Sequence, residues 1–194
     1  MVTSIRYFGL VLAILIVISA VFFSGCITNT TDTTTQQRTV GSASAQASTT
    51  PEKGTIGATS NYEQSDGTTY NVTVLSATKK PSYTWHGSSG TAYTENAPSG
   101  KQYLMVDTKF ACTGSGKVYV SPSYFSVSDS TGAKYDMKYT SVDNELDSMT
   151  LYKGQNTRGI IMFEIPQSAS GLKLMYDANP YSDSMKGVTI WNVT

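Results

Sequence analysis

Cysteine is nearly absent from this chain: there are two, Cys26 and Cys112, too few for a disulfide framework or a cysteine-built metal site. Histidine is scarcer still. His86 stands alone, which rules out a histidine-rich metal centre by count. Any Ser-His-Asp or Cys-His site would have to use that one ring, and no Gly-x-Ser-x-Gly elbow accompanies it. An excess of either charge is missing too. The formal net charge is zero, with 14 basic and 14 acidic residues scattered rather than blocked. Nucleic-acid binding needs a basic stripe that displaces counterions from phosphates. Here only the Lys79-Lys80 pair offers one, and it reads as a solvated turn, so no nucleic acid is expected as a partner.

What the chain does have is a long uncharged run at its start. One positive charge, Arg6, precedes Tyr7 to Phe23, which carries none. Such a run is a signal-peptide core or a short membrane span, and length does not separate the two. It ends in Phe23-Ser24-Gly25-Cys26, which resembles a lipobox, with Phe23 where Leu is usual. The resemblance makes Cys26 the lipid-attachment residue, and two lipid chains suffice for stable anchoring. An uncleaved signal anchor and a freely secreted product are the other readings. Ile27 to about Gly54 is rich in Ser and Thr and has almost nothing to bury. It cannot offset the entropy of ordering and is expected to be a flexible stalk. The chain therefore divides into a signal peptide or membrane anchor (1–25), a disordered stalk (26–54) and a folded domain (55–194). The expected place is the cell membrane, on its extracytoplasmic side. Asn29, Asn71 and Asn192 each begin an N-glycosylation acceptor triplet, a short motif usable only by a host with the machinery.

Within the domain the period is two. Tyr70, Val72 and Val74 alternate with polar neighbours, so Asn71 is expected to point outward. In Lys101 to Thr113, residues Leu104, Val106, Phe110 and Cys112 share one phase. Tyr103, Asp107 and Lys109 share the other. Gly114-Ser115-Gly116 turns the chain, and Asp129-Ser130-Thr131-Gly132 is a second turn. Val118 and Val120, Phe125 and Val127, and Tyr135, Met137 and Tyr139 continue the alternation. Ile160 to Ile165 is a nearly unbroken apolar run ended by Pro166, as in a buried strand. Leu172 to Tyr176 and Val188 to Val193 follow, while Val142, Leu146 and Met149 fall at helical spacing. The sum is an all-β, immunoglobulin-like β-sandwich of about seven or eight strands with one short helix.

Three stretches carry a family likeness. They are Gly100-Lys101-Gln102-Tyr103-Leu104-Met105-Val106-Asp107, Phe125-Ser126-Val127-Ser128-Asp129-Ser130-Thr131-Gly132, and Leu151-Tyr152-Lys153-Gly154 followed by Gly159 to Pro166. Together they resemble the family called domain of unknown function 4352. The resemblance implies a telokin-like immunoglobulin sandwich, commonly set behind a lipobox and a low-complexity stalk on prokaryotic surfaces. It implies no catalytic residues, because the family has no agreed activity.

Candidate sites are few. Cys112-Thr113-Gly114-Ser115-Gly116-Lys117 has the look of a phosphate loop. It lacks the first Gly, where Ala111 stands, and the Ser or Thr after the Lys, where Val118 stands. It reads as a hairpin turn. Cys112 shares the phase of Leu104 and Val106 and is expected in the core. Asp143, Asn144, Glu145 and Asp147 could offer oxygens to calcium, but their spacing is not that of the calcium loop, and acids also favour a helix start. Asp177 and Asp183 are no stronger. The stretch Thr78 to Gly100 is far longer than an ordinary connection. It carries Tyr83, Trp85, His86, Tyr93 and Glu95, and long aromatic loops on a rigid sandwich commonly make binding surfaces. The other reading has Trp85 folding back over the core, with His86 an exposed loop residue.

The function expected from these residues is a non-enzymatic binding or interaction module, held outside the membrane by its lipid or anchor. Its partner would be a surface protein, a peptide or a glycan, with no cofactor. A structural envelope component is the alternative. A hydrolase built on carboxylates that meet only in three dimensions stands third.

Overall fold

The computed structural model describes residues 50–181 and 187–193. The apolar run, Cys26, Asn29, most of the stalk and Asp183 therefore lie outside the described residues. In chain order the strands are β1 (Glu52–Gly54), β2 (Thr59–Glu63), β3 (Thr69–Lys80), β4 (Ser82–His86), β5 (Ala92–Asn96) and β6 (Lys101–Cys112). They continue as β7 (Lys117–Val120), β8 (Phe125–Ser128), β9 (Lys134–Tyr135), β10 (Met149–Tyr152), β11 (Asn156–Pro166), β12 (Lys173–Asp177) and β13 (Val188–Asn192). The fold is the all-β sandwich that the alternation predicts. One sheet has the order β11-β6-β3-β2, and the other β1-β13-β12-β8-β9. All pairings are antiparallel except β1 on β13.

Between the sheets lies an aromatic core. Tyr62 stacks on Tyr70, while Tyr176 meets Tyr62, Phe110 and Phe125 at ring-centroid distances of 4.8 to 5.7 Å. The phenols are satisfied inside it: Tyr62 donates to Thr189 Oγ1 at 2.7 Å, and the Tyr70 and Tyr176 hydroxyls are 3.2 Å apart. Burying a Tyr without such a partner would leave a costly unpaired hydroxyl. Cys112 is 1% exposed in this core, as its phase predicts. The ribbon β10-β7 closes one flank, contributing Val118, Val120 and Leu151 to the same cluster.

Several expectations need correction. Thirteen strands are present among the described residues instead of seven or eight. β1 lies within 26–54, so the sandwich begins ahead of residue 55. Val142, Leu146 and Met149 form no helix; the one helical element described is a 3-10 turn at Pro122–Tyr124. The helical spacing has another origin: residues 137–146 run along the free edge of β11. Met137 bridges Phe163 and Glu145 bridges Ile160, and Val142 and Leu146 fall into separate hydrophobic clusters. Such cover keeps an edge strand from pairing with another chain.

Gly114-Ser115-Gly116 is likewise not a hairpin turn, because β6 and β7 belong to different sheets. It is a crossover pressed against Thr68 and Thr69, where a Cβ on either glycine would collide with them. In β3 a bulge between Val74 and Ser76 shifts the register. Before it the even residues face the core; beyond it Ala77 does. One extra residue therefore erases the period-two signal halfway along the strand.

Candidate functional site

The stretch Thr78 to Gly100 is not an open loop. β3 continues to Lys80, and β4 and β5 then form an antiparallel hairpin. Its cross-strand pairs put Tyr83, Trp85, Tyr93 and Glu95 on one face, and Thr84, His86, Ala92 and Thr94 on the other. The first face lies on the outside of the four-stranded sheet, over β6 and β11. Tyr83, Tyr103, Val142 and Met162 form a second, smaller buried cluster there, with Trp85, Ala97, Met105 and Ile160 packed around it. Ile160 to Ile165 reads as a nearly unbroken apolar run because this strand is covered on both faces.

Three attachments hold the hairpin. Tyr83 meets Tyr103 edge to face at 5.1 Å, inside the small cluster. Glu95 is the second. Its Oε2 accepts from Tyr83 at 2.8 Å, while Oε1 accepts from Tyr103 at 3.2 Å and from Lys138 Nζ at 3.1 Å. Lys138 also lies 3.5 Å from Glu164 Oε2 and 5.0 Å over the Tyr103 ring. The third is His86, whose backbone N–H donates to Asp143 Oδ1 at 2.9 Å, with Nδ1 2.6 Å from Oδ2. The edge segment of β11 supplies both Lys138 and Asp143, so the element that covers the edge also clasps the hairpin.

The electrostatics follow this geometry. Hydrogen bonds from Tyr83 and Lys138 hold the Glu95 carboxyl below its ordinary value. Burial, then the bond to Glu95, pushes the Tyr83 phenol up to about 12. Burial alone would lower Lys138, but its bonds to Glu95 and Tyr103 outweigh that and raise it. The bond from His86 lowers Asp143. One lysine, Lys138, bridges two carboxylates, Glu95 and Glu164. The shift on Glu95 runs opposite to what a general acid requires, because a carboxyl held ionised has no proton to give.

The expected residues therefore part company. Tyr83 is buried and Trp85 half-buried, stacked on Tyr93 at 4.6 Å and 21°. Tyr93 is 47% exposed, and His86 is exposed, on a strand rather than in a loop. Asp143, considered for calcium, has both carboxylate oxygens engaged by His86. Among the described residues no three His, Cys, Asp or Glu side chains converge as a metal site. Asn71 is half-buried on β3, with its even-numbered neighbours inward, and Asn192 is exposed on β13. Sequence reading missed Lys138, Tyr103 and Glu164. Only Tyr103 left a signal, a large aromatic in the polar phase of β6.

A two-sheet, immunoglobulin-like sandwich with a hairpin clasped to one outer face is thus the class of protein defined here. The chain belongs to the family described as "Domain of unknown function (DUF4352)", whose model matches residues 61–186. Among solved structures, it is similar to MPT63, a secreted protein from Mycobacterium tuberculosis, at 15% identity and a TM-score of 0.52, covering 75% of this chain and 99% of that one. It is also similar to the yjhA protein from Bacillus subtilis, at 15% identity and a TM-score of 0.50, covering 74% and 99%. A third likeness is to an uncharacterized β-sandwich protein from Clostridium difficile, at 10% identity and a TM-score of 0.50, covering 77% and 98%. At these identities the likeness is one of fold. No curated protein matches the chain.

Proposed function

We propose that this chain is an extracytoplasmic lipoprotein whose sandwich is a non-enzymatic binding module, meeting its partner through the β4–β5 hairpin. The observation that carries the reading is the clasp. A hairpin that could have been a mobile connection is instead fixed at three points, with Tyr93 held half-exposed on the ring of Trp85. Fixing an aromatic before contact removes ordering entropy from the cost of binding. The uncharged run, the Ser24-Gly25-Cys26 box and the Ser/Thr stalk support the tethered, outward-facing address.

Intact mass spectrometry of membrane-fraction protein, with and without Cys26→Ser, tests the address. The expected mass begins at Cys26 with a lipid adduct that the variant loses. A mass retaining residues 1–25 overturns the lipoprotein reading. For the hairpin, the full chain carrying Tyr93→Ser is expected to keep the thermal midpoint of the sandwich, to loosen the hairpin by the lost stack on Trp85, about 1 kcal/mol, and to bind less to the surface of intact host cells. Equal retention would remove the hairpin from the proposal.

A further inference from the structure

A second surface, away from the hairpin, has a composition of its own. The β7–β10 ribbon turns Val118, Val120 and Leu151 inward and Lys117, Tyr119, Thr150 and Tyr152 outward. That outer face is largely open: Tyr152 is 57% exposed, and Tyr119 51%, with the Tyr124 ring edge-on to it at 6.3 Å. The register pairs Tyr119 with Thr150 and Tyr152 with Lys117, so the two tyrosines are diagonal neighbours on one face. Diagonal side chains of a ladder stand about 7 Å apart, which lets two successive rings of a chain molecule each lie against one phenol.

The one charged side chain among the outward positions is a lysine, Lys117, and a second, Lys153, stands in the turn that directly follows Tyr152. Lys117 and Lys153 are exposed and make no ion pair among the described residues. The acid nearest in the chain, Asp147, precedes β10 beyond the end away from the lysines. The outward positions hold no Leu, Ile, Phe or Met, the side chains that anchor in a protein–protein core. Flat rings with hydroxyl tips, a threonine and two free ammonium groups match a ligand with apolar C–H faces, many hydroxyls and anionic groups.

We propose that the outer face of the β7–β10 ribbon binds an anionic polysaccharide, its sugar rings on Tyr119 and Tyr152 and its acidic groups on Lys117 and Lys153. This goes beyond the hairpin reading and uses none of its residues. The test uses the full chain in detergent micelles, with polygalacturonate as the anionic probe and dextran as the neutral one, read by affinity electrophoresis at two salt concentrations. Polygalacturonate should retard the protein, dextran should not, and added salt should weaken the effect. Tyr119→Ser with Tyr152→Ser, and separately Lys117→Gln with Lys153→Gln, should each weaken binding about tenfold at an unchanged thermal midpoint. Lys117→Arg with Lys153→Arg should retain it, and so should Tyr93→Ser, which keeps this surface distinct from the hairpin. No retardation, equal retardation by dextran, or insensitivity to both variant pairs overturns the proposal. So does self-association of the wild type that the tyrosine pair abolishes, since the face would then be a contact between copies.

Discussion

The two faces of β6 and β11 are both covered, by different means. Inward they meet the aromatic core between the sheets, where Leu104, Val106, Phe110, Ile161 and Phe163 join side chains from both sheets and the β7–β10 ribbon. Outward they meet a hairpin of two short strands, held by four buried residues and a polar clasp. The inner face is non-directional burial on a scale that defines whether the domain folds. The outer face is small enough for hydrogen bonds to decide where the hairpin rests. The two should therefore fail separately: the inner by cooperative unfolding, the outer by local release from an otherwise intact sandwich.

The strongest way to break the inner side is Phe110→Ala, which removes the ring between Phe125 and Tyr176. A loss of about 3–5 kcal/mol is expected, seen as a single shifted transition in urea with hairpin and sandwich unfolding together. Next comes Gly159→Val, at a place where the two sides are stitched together. A Cβ there would strike the backbone of Leu146, which runs along β11 through Ile160 N–H to Asn144 O at 2.8 Å and Leu146 N–H to Ile160 O at 3.0 Å. Leu146 belongs to the inner core while Asp143, three residues earlier, holds His86. The variant should cost about 2 kcal/mol and also raise hydrogen exchange in β4 and β5. A shift without faster hairpin exchange would show that the edge segment does not control the clasp. Smaller again is Trp85→Ala, which removes the stack on Tyr93. About 1 kcal/mol is expected, with exchange rising in the hairpin and unchanged in β3 and β12.

The inner face was legible in the sequence and the outer face was not, for physical reasons. Alternation reports burial on one side of a strand. Leu104, Val106, Phe110 and Cys112 announced the core, and Asp129 announced its turn. There the carboxylate accepts from the Thr131 N–H and hydroxyl, the Ala133 N–H and the Tyr135 hydroxyl, which hold it down at about 2. The hairpin was hidden twice over. The bulge after Val74 broke the phase that would have carried β3 through to Lys80. Strands as short as Ser82–His86 and Ala92–Asn96 then offered too few alternations to stand out from a loop. Aromatic content drew attention to the region, but it could not tell Tyr83, which is buried, from Tyr93, which is not. The partners of the clasp lie 43 and 57 residues from Glu95 and His86 in the chain, a pairing no local pattern encodes.

Acid separates the two faces most gently. Glu95 and Asp143 have folded-state values below their ordinary 4.5 and 3.8, so each stabilises the docked hairpin while ionised. That contribution is complete above the unfolded values and is lost as the pH falls through the folded ones, a window opening below about 4.5. Both groups are largely exposed, which keeps the effect small and salt-sensitive. The inner core buries no carboxylate among the described residues; the sandwich's acid-sensitive group is the turn carboxylate Asp129, whose contribution is lost completely only as the pH falls past about 2. The two tryptophans divide between the faces, Trp85 on the hairpin and Trp191 fully buried inside. In Trp191→Phe the remaining emission should shift to the red on acidification, ahead of any loss of overall β structure by circular dichroism. Trp85→Phe should hold its emission until the whole domain unfolds. If both variants changed together, the hairpin and the core would be one cooperative unit and the polar clasp would have no independent role.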